Sequence, residues 1–300
     1  MTSTTCIVLF LVAGVVLCCI NTIYMALKAS SSTTPRSTAI VSAESSGIAL
    51  SAVSADYGLD KFEGCVGVVI STMLREDSFH GTVSYLHHTI KGIDDTFKST
   101  SYCRHIAVFN VRPEHPLPDK EIIQHEFSNV TFIDINIPNV DPDWDFWYEW
   151  GYNVLGARKM QQFLDVRAMM QLYSTIAHEE LTLWMEDDFV FCPHSASHLE
   201  KSLQFMSQHV QHPHVGGVRF STGAGALLLR TRDFSTYAYE IEKRPVDDPI
   251  DWLLSRLWKD LELTMFTYRG ALLLHKGEVS TVGNTEQVSC WAGRVWGCIF

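Results

Sequence analysis

Basic residues are scarce: 23 Lys and Arg stand against 34 Asp and Glu, a formal net charge of -11 over 300 residues. Such a chain lacks the basic footprint of a general nucleic-acid binder. A nucleotide ligand stays compatible, because a cation can offset the charge at one local site. The sequence has no GxxxxGK[ST], no GxSxG and no HExxH, so P-loop, α/β-hydrolase and zincin readings have no support. It has no CxxC, which argues against a structural zinc site. No internal repeat is found. What is present is the material for a core: 46% hydrophobic and 11% aromatic residues, enough for one substantial domain beside a short anchor.

Charge is also missing from one long run. Ile7 to Leu27 reads IVLFLVAGVVLCCINTIYMAL without a charged side chain, and about 20 apolar residues span a bilayer core. A cleaved signal peptide is the competing reading, but the basic n-region is absent and the run exceeds an ordinary h-region. An uncleaved signal anchor over residues 1–28 is therefore expected. Residues 29–60 form a flexible stem, since Ala29 to Ser54 is rich in Ser, Thr and Ala, a composition too polar to order itself. Residues 61–300 make the folded domain. Of eight cysteines, Cys6, Cys18 and Cys19 lie in or beside the apolar run. Cys65, Cys103, Cys192, Cys290 and Cys298 remain, an odd number, able to pair if the domain is lumenal. Asn129-Val130-Thr131 is a glycosylation sequon, usable only there.

Within the domain, strands alternate with helices. Strands are predicted at Val66–Ile70, His105–Val111, Val130–Ile135, Leu181–Met185, Val215–Ser221 and Ala224–Leu229. Helices are predicted at Phe79–Ile93, Lys159–Ile176, Asp233–Glu242 and Pro249–Leu261. This order predicts an α/β fold with a largely parallel sheet, whose ligands sit beyond the carboxyl ends of the strands.

One strand end there is unusual. Leu181-Thr182-Leu183-Trp184-Met185 runs into Glu186-Asp187-Asp188, and Phe189-Val190-Phe191 follows. Adjacent carboxylates between apolar runs repel one another and resist burial. A hard divalent cation, Mn²⁺ or Mg²⁺, resolves the conflict; a solvated turn is the other reading. Asp251, after Pro249 in the first turn of a helix, reads either as a helix-capping acid or as a general base kept ionised by the helix N-terminus. His275 ends the apolar run Leu272-Leu273-Leu274 and reads either as a metal ligand or as a satisfied edge histidine. The stretch Asp141 to Trp150, DPDWDFWYEW, suits sugar stacking or a ring-anchored loop equally.

Several of these segments together resemble the N-acetylglucosaminyltransferase IV family, which branches N-glycans. VGVVISTMLRED at residues 66–77 is similar to its first strand and Thr-x-x-Arg-Glu segment. MQQFLDVRAMMQLY at 160–173 resembles the helix before its acidic run, and LTLWMEDDFVF at 181–191 resembles that run. VDDPIDWLLSRLW at 246–258 resembles its Lys-Pro-Ile-Asp-Trp-Leu-Leu segment, the most specific match. LLLHKGEVST at 272–281 resembles its closing segment, with Val279 replacing a second histidine.

The resemblance implies a GT-A-like fold preceded by one transmembrane helix, a Golgi type II placement, and UDP-N-acetylglucosamine as donor with Mn²⁺. It assigns Asp188 as principal metal ligand with Glu186 and His275. Glu186 and Asp187 would also support the donor, Asp165 and Lys159 would line the nucleotide pocket, and Asp251 would be the catalytic base. The segments Asp141–Trp150 and Phe220–Leu229 match poorly, and little chain follows His275, which leaves the acceptor open: an N-glycan mannose branch or, as in a related transferase, a GPI-anchor glycan. A non-catalytic, membrane-bound glycan-binding protein and a two-carboxylate glycoside hydrolase are the rival readings.

Overall fold

β-Branched and leucine-rich runs make the strands of the computed structural model. It describes residues 64–72, 75–77, 81–137, 153–193, 195–221, 225–244, 250–268 and 272–275, all within the compact unit Ala55–Phe300. In chain order the elements are β1 (Val66–Thr72), β2 (Arg75–Asp77), β3 (Gly81–Val83), α1 (Leu86–Phe97), β4 (Arg104–Asn110), α2 (Lys120–Glu126), β5 (Val130–Asp134) and α3 (Asn153–Ile176). They continue with β6 (Leu181–Glu186), β7 (Phe189–Phe191), α4 (Ala196–His209), β8 (Val215–Arg219), β9 (Ala226–Arg230), α5 (Phe234–Glu242), α6 (Ile250–Asp260), β10 (Thr264–Thr267) and β11 (Leu273–His275). The apolar run Ile7–Leu27, the stem and the aromatic stretch Asp141–Trp150 lie outside the described residues. Among the described residues no helix is long and apolar enough to cross a membrane.

The central sheet has seven strands in the order β10-β8-β9-β6-β1-β4-β5. β1 is parallel to β4 and β6, β4 to β5, and β8 to β10, while β9 runs antiparallel to β6 and β8. The expected mixed α/β fold with a mostly parallel sheet is what is found. Both sheet faces are covered, so side chains alternate between two cores. Val68, Ile70, Leu183, Met185 and Leu228 pack with α1 and α4. Val69, Phe109, Trp184, Leu227 and Leu229 pack with α3, α5 and α6. Double coverage explains why these strands read as near-continuous apolar runs.

Gly67 is dictated by this packing, because a Cβ there would stand 2.1 Å from the Tyr173 hydroxyl. That hydroxyl belongs to a buried polar network at the amino ends of the strands. Tyr173 donates to Glu179 Oε2 at 3.2 Å, and His105 Nδ1 lies 3.0 Å from Glu179 Oε1. A disulfide joins Cys65 to Cys103 at the starts of parallel neighbours β1 and β4, and Cys192 is disulfide-bonded as well.

The helix predicted at Phe79–Ile93 begins only at Leu86. Leu86, Ile90 and Ile93 do form its buried stripe, but β-branched Thr82 and Val83 pair with Glu76 and Arg75 in a small hairpin. Extended pairing beat helical spacing there, as β-branched residues favour. A second hairpin-like pair, β7 with β11, joins segments far apart in sequence and builds the site.

Candidate functional site

From β1 the chain moves outward to β4 and β5 on one side, while β6 lies on the other. The reversal makes a topological switch point between β1 and β6, where open α/β sheets leave a crevice at the carboxyl ends. Ser71 pairs in register with Glu186 at that edge, so the acidic run leaves the sheet at the switch point.

The three acids have different surroundings. Glu186 is half-buried at the end of β6. Asp187 is buried and held on two sides: Thr72 donates its hydroxyl to Asp187 Oδ2 at 2.7 Å, and Thr89 of α1 donates to the Asp187 carbonyl at 2.6 Å. Asp188, equally buried, faces His275, whose Nε2 lies 3.0 Å from Asp188 Oδ2. His275 arrives there because β11 pairs antiparallel with β7, setting His275 opposite Phe189. The two rings are in contact, with centroids 4.8 Å apart. The Cys192 N–H donates to the Leu272 carbonyl at 2.8 Å and closes the pair.

Glu186, Asp188 and His275 each offer one ligand atom, and these atoms lie within 4.8 Å of one another. Two carboxylate oxygens and one imidazole nitrogen so placed can hold a metal ion. One pair among them, His275 Nε2 and Asp188 Oδ2, stands 3.0 Å apart and hydrogen-bonds directly. Asp187 joins the run in sequence, but its carboxylate anchors the turn to β1.

The remaining candidates fall at the same edge, outside this trio. Asp165 on α3 is buried and faces Arg112 just past β4, with Oδ1 and Oδ2 each 3.3 Å from a guanidinium nitrogen. Gln161 donates to its Oδ1 at 2.9 Å. Burial raises the Asp165 carboxyl above the usual carboxylate range, and its bonds from Gln161 and Arg112 offset this only in part. Lys159 lies in α3, and its side chain falls outside the described residues.

Asp251 occupies the first turn of α6, half-buried and off the stripe of Ile250, Leu253, Leu254 and Leu257. Residues 245–249, which lead into this helix, are outside the described residues. Asp251 interacts electrostatically with Arg219 at the end of β8; burial lowers the Arg219 pKa, and Asp251 partly restores it. Arg219 Nη2 also donates to Ser255 Oγ at 3.0 Å, and Ser255 donates to the Asp251 carbonyl at 2.8 Å. Sequence reasoning missed Thr72, Thr89, Arg112 and Arg219. A hydroxyl residue closing a buried strand was the available signal for Thr72, whose nearness to the acidic run, 115 residues away, belongs to the fold. The other three are supplied by distant elements.

No protein-family model matches the sequence, and no curated protein matches it. Solved structures of low similarity do. The chain is similar to the glycosyltransferase GlyE of Streptococcus pneumoniae TIGR4 at 12% identity and a TM-score of 0.38, covering 69% of this chain and 45% of that one. The apo form of GlyE gives 12% identity and 0.36, covering 67% and 45%. A 4-diphosphocytidyl-2C-methyl-D-erythritolsynthase from Anaerococcus prevotii DSM 20548 gives 11% and 0.39, covering 70% of this chain and 88% of that one. The chain thus spans less than half the length of the GlyE structures. At these TM-scores and identities its chemistry is read from its own side chains.

Proposed function

We propose that the chain is a metal-dependent, inverting glycosyltransferase of GT-A-like fold. It moves a sugar, N-acetylglucosamine in the reading the sequence resemblance favours, from a UDP-sugar to a glycan acceptor. One observation carries the reading: Glu186, Asp188 and His275 converge at the switch point of a mostly parallel sheet. Imidazole in the ligand set favours a transition ion such as Mn²⁺ over Mg²⁺, which takes oxygens. When bound, such an ion supplies Lewis-acid neutralisation of charge on a leaving diphosphate.

The chain's residues divide the remaining work. Thr72 and Thr89 fix the turn at Asp187, so Asp188 is presented at a set position. Asp251 is the general base. The acceptor hydroxyl oxygen bonds to the anomeric carbon from the face opposite the diphosphate. The carbon–phosphate oxygen bond breaks, UDP leaves with the electron pair, and the hydroxyl proton ends on Asp251. Base catalysis of this kind contributes about 10²–10⁴ in rate. β6 and β8 are separated by β9 alone, about 10 Å at the usual strand spacing. The Cys65–Cys103 disulfide suits an oxidising compartment, in keeping with a lumenal domain on a Golgi anchor.

The test is UDP release from a panel of UDP-sugars with Mn²⁺, with and without N-glycan and GPI-type acceptors. Metal-dependent release that rises with one acceptor is expected, and Asp188→Ala abolishes it while leaving the fold intact. Glycan binding without product would leave a non-catalytic binder. Glycan cleavage without UDP-sugar or metal would make the chain a hydrolase.

A further inference from the structure

One sequence motif takes no part in the site described above. Asn129-Val130-Thr131 is the only Asn-x-Ser/Thr run in the chain. It lies where α2 gives way to β5. Ser128 and Asn129 form the turn, Ser128 exposed and Asn129 half-buried, and Val130 opens the strand. Among the described residues β5 is an end strand of the seven-stranded sheet. The fold asks little of the Asn129 side chain. An Asn in a turn often supplies a left-handed residue, but among the described residues Glu262 is the only non-glycine with positive φ. Asn129 Nδ2 reaches the Arg104 carbonyl at 3.5 Å, beyond the usual range of about 2.7–3.2 Å. It is the main chain that β4 holds, through the Ile106 N–H, which donates to the Asn129 carbonyl at 2.9 Å. Thr131 has a structural task of its own, since its Oγ1 lies 3.2 Å from His105 Nε2.

We propose that Asn129 is a modification site that carries an N-linked oligosaccharide. The donor is a polyprenyl-diphosphate-linked oligosaccharide, used by the oligosaccharyl transferase of the secretory compartment. Asn129 Nδ2 bonds to the anomeric carbon, the carbon–phosphate oxygen bond breaks, the diphosphate leaves with the electron pair, and Nδ2 gives up one proton. Nδ2 keeps its second proton, so its contact with the Arg104 carbonyl is not forfeited. Three features of the structure suit this product. A surface turn before an end strand has room for a bulky, hydrated group. The Cys65–Cys103 link and the disulfide at Cys192 suit an oxidising compartment, where such sequons are used. The glycan also stands clear of the metal trio. The register sets Val130 level with Ile106, Val68 and Leu183, so Glu186 lies further along β6 and three strands across. At the usual strand spacing and rise, Asn129 and Glu186 are on the order of 20 Å apart. The inference stands independently of the transferase reading.

The experiment expresses the full chain in a eukaryotic secretory host and follows its gel mobility before and after digestion with peptide N-glycosidase F. The wild-type chain is expected to gain mobility in a single step. Mass spectrometry of the peptide holding Asn129 is expected to show that residue converted to aspartate by the release. Asn129→Gln and Thr131→Ala are expected to lose the shift. Thr131→Ser, which keeps both the sequon and a hydroxyl for His105, is expected to retain it. Alkylation of free thiols in the same samples reports whether Cys65 and Cys103 are paired. A wild-type chain with Cys65 and Cys103 paired and no shift overturns the proposal, because the domain has then met the oxidising compartment and stayed unmodified. Free Cys65 and Cys103 with no shift overturn it too, by removing the lumenal domain it needs. A shift that persists in Asn129→Gln places the glycan elsewhere and overturns the assignment.

Discussion

Three neighbouring carboxylates show how surroundings divide chemically identical groups. Asp187 Oδ2 accepts from Thr72, Asp188 faces His275, and Glu186 completes the trio. Asp188→Ala is therefore expected to remove measurable Mn²⁺ binding in isothermal calorimetry, whereas Thr72→Val weakens it by misplacing the turn. Asp251→Asn should keep metal and donor binding and lose about 10²–10⁴ in turnover; wild-type turnover would reduce Asp251 to a helix-capping acid. At the other sheet edge, burial alone would push the Glu179 carboxyl up, but hydrogen bonds from His105, a backbone N–H and Tyr173 outweigh it and hold the group below its usual range. A lowered folded-state value means that the stabilisation is present above the ordinary carboxylate range and is lost as pH falls through the lowered value. Glu179→Ala is expected to cost about 3 kcal/mol near pH 7. The gap to wild type should narrow on acidification in urea titrations; a pH-independent gap would contradict the charged-network account.

At the scale of elements, the site depends on a pairing between distant segments. β7 follows the acids directly, and β11 comes more than 80 residues later to place His275 beside Asp188. Gly225 guards this arrangement, because a Cβ there would stand 2.2 Å from the Phe189 ring, and that ring touches His275. Gly225→Ala must displace β7 or β9. It is expected to cost about 1–3 kcal/mol and to weaken Mn²⁺ affinity, read as a smaller rise in melting temperature on adding the ion. The apolar runs of β1, β6 and β9 and the stripe of α6 were legible from spacing, since each is buried against a sheet or helix face. β2, β3, α2 and β10 were not, because they are short and take their conformation from neighbours.

Across the whole molecule, the Cys65–Cys103 link closes a loop with a sequence separation of 38 over β1, the β2–β3 hairpin and α1, ending just before β4. In the chain-entropy account such a loop is worth about 4 kcal/mol. The Cys65→Ala/Cys103→Ala variant should lose about that much in denaturant unfolding, and a loss below about 1 kcal/mol would show that the reduced chain already holds β1 against β4. The same sheet brings Asp251 to the edge that carries the acids, although 63 residues separate it from Asp188 in sequence. By itself the sequence determined the alternation of strands and helices, the acidic run at a strand end and the position of Asp251 off its helix's buried stripe. Each follows from local periodicity and side-chain polarity. Only the tertiary structure decided which acids converge with His275, that Asp187 meets Thr72 and that Asp165 meets Arg112. Those outcomes depend on strand order and on distances across the fold, which local spacing does not encode.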